Sequence, residues 1–398
     1  MLSDLSRQLP ASLNLLYKNR NEALARGAEI TDLIAGNVNQ HGVFFPPEKL
    51  HPILLAAADQ TKVYRPDSLG QLVAREAIAQ YYEAATLSLP AKQILLTPGT
   101  SLSYWYCFKL LAEAGDEILC PSPSYPLFET IAKLSSVTLT FYRLVESSLW
   151  QIDLDYLESQ ITTRTRGIVL ISPHNPTGMV ASHDQVEGLT QIASRHHLPI
   201  IADEVFSEFL FGIDELPRPA LASAPLVFTL NGFSKMFALP EWKLGWIAVS
   251  GDPEWVGKSM ATLELISDAF LPVNEMVQFS VPGIFQEGKD FQSKYQSWVQ
   301  RCREIAVSTL SSCTGLQLVP PAGGFYLTVR VPGAGTAEES LAIELLQRSK
   351  VLVHPGYFYD IPSSHLVMTF IQEPEILRAA LWRLCGQLDS ERSGGIDS

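Results

Sequence analysis

The chain has 398 residues, 46% of them apolar and 18% charged, so it can bury a large core, is long enough for two domains and is not a disordered segment. An excess of 42 acidic over 29 basic residues gives a formal charge of -13, which opposes binding to a phosphate backbone and argues against nucleic acid as a partner. Five scattered cysteines with no C-x-x-C argue against a disulfide framework or a metal site, and no apolar run approaches the roughly 18 to 20 residues that span a bilayer. The expectation is a soluble cytoplasmic protein with buried thiols and no membrane segment.

From about residue 70 to 250, short β-rich apolar runs alternate with amphipathic stretches, the pattern of a mostly parallel sheet covered by helices on both faces. The expected strands are 94–97, 117–120, 138–142, 167–171, 199–202, 227–230 and 245–249, a seven-stranded α/β core. Helices are expected at 71–85, 102–114, 125–135 and 184–197 from apolar residues three and four apart. Longer helical stretches at 254–268 and 290–311 lead out of the sheet. A smaller α+β domain then follows, with strands at 316–319, 324–329, 351–354 and 366–371 and helices at 337–349 and 374–389. This divides the chain into an N-terminal arm with part of the small domain (1–48), a large domain (49–288) and a C-terminal small domain (289–398), whose last residues, 393–398, are expected to fray.

Ligands of open α/β sheets bind where the strands end, so the loops after the strands are the places to look for chemistry. The first strand is followed by Pro98-Gly99-Thr100-Ser101 and a helix, which is either a phosphate seat of free N–H groups and hydroxyls or a plain helix cap. After 167–171 comes Ser172-Pro-His-Asn-Pro-Thr-Gly178, a stiff turn that presents Asn175. After 199–202 comes Asp203-Glu204-Val-Phe206, where a carboxylate at the end of an apolar strand needs a cationic partner. After 227–230 comes Asn231-Gly-Phe-Ser234-Lys235. An isolated lysine is ordinarily a solvated surface residue, but here it is expected to join an amide, a carboxylate and a phosphate seat in one shared cleft.

The order Asn175-Pro-x-Gly178, Asp203-Glu-Val and Ser234-Lys235, with a basic residue at Lys243 before Gly245, resembles the class I/II aminotransferases of pyridoxal 5'-phosphate (PLP) fold type I. The likeness extends over nearly the whole chain, through Tyr64 with Gly70-x-x-x-Ala74-Arg75, Pro121-Ser-Pro-Ser-Tyr125, Ala322-Gly-Gly-Phe-Tyr326 and Val353-His-Pro-Gly356. The resemblance implies that Lys235 carries PLP as a Schiff base, that Asp203 faces the pyridine nitrogen, that Asn175 faces the ring oxygen O3' and that Tyr125 stacks on the ring. It further implies that Gly99, Thr100, Ser101, Ser234 and Lys243 hold the phosphate, with Tyr64 reaching the phosphate of the neighbouring subunit in a homodimer with shared active sites. The implied activity is amino-group transfer between an amino acid or amine and a 2-oxo acid. An elimination lyase, a decarboxylase or a cyclase on the same fold is the alternative, and a PLP-sensing regulator is disfavoured by the acidic charge.

Three departures bear on the reaction. Phe206 stands where the family usually has a tyrosine on O3', which predicts a higher pKa for the lysine-linked cofactor and a yellow, protonated form at neutral pH. Gly232 replaces a serine, and Lys243 an arginine, at the phosphate. Val367, in the run Val367-Met-Thr-Phe370, replaces the arginine that grips the substrate α-carboxylate. Gly36 and Asn37 are the expected substrate-binding residues, and His41, Arg330, His354, Tyr357 and His365 are further candidates to replace the missing arginine, none of them singled out by the sequence.

Overall fold

The computed structural model describes Leu5 and residues 13–333, 337–362 and 364–394. The strands among the described residues are β1 (Thr31–Asp32), β2 (Ile94–Thr97), β3 (Glu117–Ser122), β4 (Thr138–Val145), β5 (Gln151–Ile152), β6 (Thr165–Ile171), β7 (Ile200–Asp203), β8 (Leu226–Gly232), β9 (Gly245–Gly251), β10 (Gln317–Leu318), β11 (Tyr326–Arg330), β12 (Val351–Leu352), β13 (His354–Pro355) and β14 (His365–Thr369). The large sheet runs in the order β2-β9-β8-β7-β6-β3-β4-β5. All seven strands expected from the sequence lie in it, and β5 adds a short eighth by pairing antiparallel to β4. Pairing is parallel from β8 through β4, while β9 runs against both of its neighbours.

Alternation along the strands explains why both faces are covered. Val169 and Ile171 of β6 pack on one side, with Ile118, Phe228 and Ile247, against the helices Thr100–Leu111, Leu127–Ser135 and Pro253–Asp268. Ile168 and Leu170 point to the other side, with Leu119 and Ile200, against the helix His183–Arg195. Each such side chain is essentially inaccessible, worth roughly 1.5–3 kcal/mol by transfer from water.

A second sheet, β10-β11-β14-β13, packs through Leu327, Val329, Leu366 and Met368 onto the long helix Lys289–Ser312 and the last helix. The arm returns here, since β1 pairs in parallel with β12. Among the described residues, three helices of more than ten residues were not anticipated, nor was the short one at Leu154–Ser159. Pro47–Gln60 and Glu275–Glu287 carry Pro52 and Pro282 inside them, which weakens a sequence-level helix signal, and Leu15–Ala25 buries only Leu16. The last helix extends to Gly394, so the first two residues of the expected frayed end are helical, and 395–398 lie outside the described residues. All five cysteines are buried and none is in a disulfide, and no described helix is long and apolar enough to cross a membrane.

Candidate active site

The strands β2, β9 and β8 are neighbours, and their register puts Thr97 and Gly232 on either side of Gly245. Sheet register therefore gathers three loops that are far apart in sequence: Gly99-Thr100-Ser101 after β2, Lys243 before β9, and Gly232 to Lys235 after β8. Leu102 and Ser103 donate to the Gly99 carbonyl at 3.2 and 3.3 Å to start the helix, while the N–H groups of Thr100 and Ser101 precede any helical acceptor. Gly99 has φ +100, and a Cβ built on it would meet no atom within 4 Å. The space above this turn is open, as a phosphate cradle requires.

One of the two phosphate-side departures has a structural reason. A Cβ on Gly232 would stand 2.6 Å from the Leu244 carbonyl oxygen, so no serine fits there without separating β8 from β9. Lys243 holds a left-handed conformation with φ +48 as it closes the turn Pro240–Trp242, an uncommon geometry for a residue with a side chain and one that strain at functional sites often explains.

Lys235 lies in the single helical turn Phe233–Met236, and its Nζ donates to the carbonyl oxygen of Gly36. The rings of Phe206 and Phe325 stand 6.0 and 5.9 Å from Nζ. Burial among these groups lowers the amine pKa to about 8, which makes it a usable nucleophile and base near neutrality. Asp203, at the end of β7, is buried, and its carboxylate accepts from Tyr104 Oη at 2.7 Å and from the Val205 N–H at 3.0 Å. Burial raises its pKa, and the two hydrogen bonds oppose that rise. Glu204, one residue on, forms a buried ion pair with Arg218.

The turn carrying Asn175 is anchored by Gly178, whose carbonyl accepts from Ala322 and Gly323 at 2.8 and 3.0 Å. Gly178 is required here, because a Cβ would lie 2.3 Å from Pro321. Asn175 is buried, and its Oδ1 has no partner. Tyr125, 38% exposed, sits edge-on to Phe128, near enough to Asp203 that its hydroxyl pKa is raised by burial first and that carboxylate second. The groups fit PLP: an amine, a buried carboxylate, a buried amide, and an open helix N-terminus.

Other expected residues lie elsewhere or are engaged. Tyr64 is 70% exposed and lines a surface cavity of 360 Å³ with Gly70 and Gln278, apart from the groups around Lys235. Asn37 is exposed, whereas Gly36 lies over Lys235. Strand register puts Tyr326, Thr328, Val367, Thr369 and His354 on one face of the small sheet. Val367 is fully buried there, opposite His354. His354 contacts Tyr17 Oη at 2.9 Å and Tyr359 Oη at 3.0 Å, and burial lowers its pKa to about 4, so it is neutral. Arg330 and His365 both bind Glu146, His41 binds Gln372, and Tyr357 is largely exposed. Tyr104, Tyr17 and Tyr326 were given no role by the sequence, because only the fold brings them to these loops.

Residues 30–381 match the family described as aminotransferase class I and II. The chain is 31% identical over 381 residues to the alanine aminotransferase of Mycobacterium tuberculosis, covering 92% of this chain and 87% of that one. It is 29% identical over 309 residues to the tyrosine aminotransferase of Dictyostelium discoideum, covering 75% of this chain and 74% of that one. A crystal structure of an aminotransferase from Escherichia coli superposes with a TM-score of 0.88 at 26% identity, covering 98% of each chain.

Proposed function

Since the chain belongs to the class I and II aminotransferase family, whose members work with PLP, and is itself an aminotransferase, we propose that Lys235 is the residue that binds the cofactor and moves the proton. The observation that carries this reading is the amine of Lys235, lowered by burial to about 8, at the carboxyl ends of the neighbouring strands that also present Asp203 and Asn175. When bound, PLP supplies an electron sink for the bond broken at the substrate Cα.

The chain's own groups do the rest. Lys235 would take the proton from the substrate Cα, which requires the neutral amine that burial favours. Asp203, whose ionised form Tyr104 and the Val205 N–H favour against burial, would face the pyridine nitrogen. The Asn175 amide faces O3', and Tyr125 covers the ring. Gly99, Thr100, Ser101, Ser234 and Lys243 hold the phosphate, and Tyr64, exposed on its own subunit, reaches the partner's site in a cytoplasmic homodimer. The substrates are an amino acid or amine donor and a 2-oxo acid, which enter over Gly36 and Asn37.

On the small-domain side, Val367 offers only an apolar isopropyl group and His354 a neutral imidazole where a guanidinium would grip a carboxylate. A donor that leans on its side chain or on an uncharged group suits this face better than a small α-amino acid held by its carboxylate alone. Mixing the PLP-loaded enzyme with a panel of amines and amino acids tests the proposal. A good donor converts the visible band of the lysine-linked cofactor to the pyridoxamine absorbance, and Lys235→Ala removes that band. A Lys235→Ala variant that keeps it sinks the assignment.

A further inference from the structure

We propose that Tyr326 supplies, from the small-domain sheet, the hydroxyl that Phe206 lacks, donating a hydrogen bond to the ring oxygen of PLP beside the Asn175 amide. This rests on the reading of Lys235 as the PLP lysine.

Tyr326 opens β11 on the face that looks across to the large domain. Its ring stands 6.1 Å from that of Phe206, at an interplanar angle of 77°. A Cβ placed on Gly36 would lie 2.8 Å from Tyr326 Oη and 3.5 Å from Lys235 Nζ, so the hydroxyl and the amine converge on the same glycine. The Asn175 side chain is within hydrogen-bonding reach of Tyr326 Oη. The hydroxyl is thus between the lysine that carries the cofactor and the amide that faces its oxygen.

Burial lifts the Tyr326 pKa well above the ordinary value for a tyrosine, so the group stays a donor throughout the working pH range. An oxyanion placed beside Asn175 would accept from both. Phe206 provides an apolar wall against Phe325, with ring centroids 5.0 Å apart, and the donor comes from the neighbouring strand instead of from residue 206. A hydrogen bond to that oxygen makes it a weaker base, so the lysine-linked cofactor loses its proton more readily than Phe206 by itself implies.

The test is a visible pH titration of the PLP-loaded wild type, Tyr326→Phe, Phe206→Tyr and the double variant, with thermal melting alongside. Tyr326→Phe keeps the ring packing and is expected to raise the midpoint by about one to two pH units, the effect of losing a donor to a charged acceptor. Phe206→Tyr in that background is expected to bring it back down. Should Tyr326→Phe fail to fold, Phe206→Tyr alone decides: a midpoint within about half a pH unit of wild type fits a donor already in place. A fall of about one to two pH units in that single variant shows that the oxygen had no hydroxyl partner and overturns the proposal. An unchanged midpoint in folded Tyr326→Phe, or a changed KM for the donor with no change in midpoint, overturns it as well. A wild type with no lysine-linked band at all instead brings down the reading of Lys235, so the two failures are distinct.

Discussion

Replacing Lys235 by methionine removes a charge from a place that disfavours it while leaving a side chain of similar length. The amine falls from 10.5 to about 8 on folding, mainly by burial. A difference of about 2.5 pH units corresponds to roughly 3 kcal/mol of destabilisation of the cofactor-free wild type at pH 7. Methionine relieves that penalty but leaves the Gly36 carbonyl without its donor, at a cost of about 1 kcal/mol. The net expectation is a cofactor-free variant about 2 kcal/mol more stable than wild type at pH 7.

The sign follows from proton counting. Between pH 8 and 10.5 the unfolded chain holds the lysine proton and the folded chain has released it, so wild-type stability rises with pH across that window, relative to the variant. Above it the penalty is gone, and the variant is about 1 kcal/mol the less stable of the two. Urea unfolding of both cofactor-free proteins at pH 7 and pH 10.5 measures the crossing. An advantage of the same size at both pH values, or none at pH 7, refutes the argument from burial.

Three further outcomes are expected. Gly232→Ser forces a side chain against the Leu244 carbonyl and should lower stability by about 1–3 kcal/mol, read by thermal melting, with faster loss of PLP on dilution. Tyr104→Phe removes one of the two hydrogen bonds that favour ionised Asp203, so the Asp203 pKa rises further and the acid limb of the kcat/KM profile moves to higher pH; an unmoved limb contradicts the role given to Tyr104. Val367→Arg places a charge in a fully buried position and should cost about 3–5 kcal/mol in the free enzyme, while turnover of small α-amino acids improves if the carboxylate clamp is what this face lacks.

The large sheet was legible because each buried strand is a short run of apolar residues between turn signals, and its loops announced themselves by their chemistry. Lys235, Asp203, Asn175 and Gly99 stand at strand ends, and a strand end can be read from one stretch of chain. Helices with an internal proline were not, since Pro52 and Pro282 erase the local signal that tertiary packing then overrides.

What the sequence determined by itself was the α/β order of elements, and it offered Lys235, its strand-end companions and the valine at 367 as the candidates for the site. Only the tertiary structure decided that Gly232 has no room for a serine, that Tyr104 holds Asp203, that Arg330 is engaged by Glu146, and that Tyr326 stands over Gly36 beside Lys235. The physical reason is the separation in sequence. Identity at one position is written locally, whereas whether two side chains meet depends on the register of strands and on the packing of two sheets, which no single segment encodes.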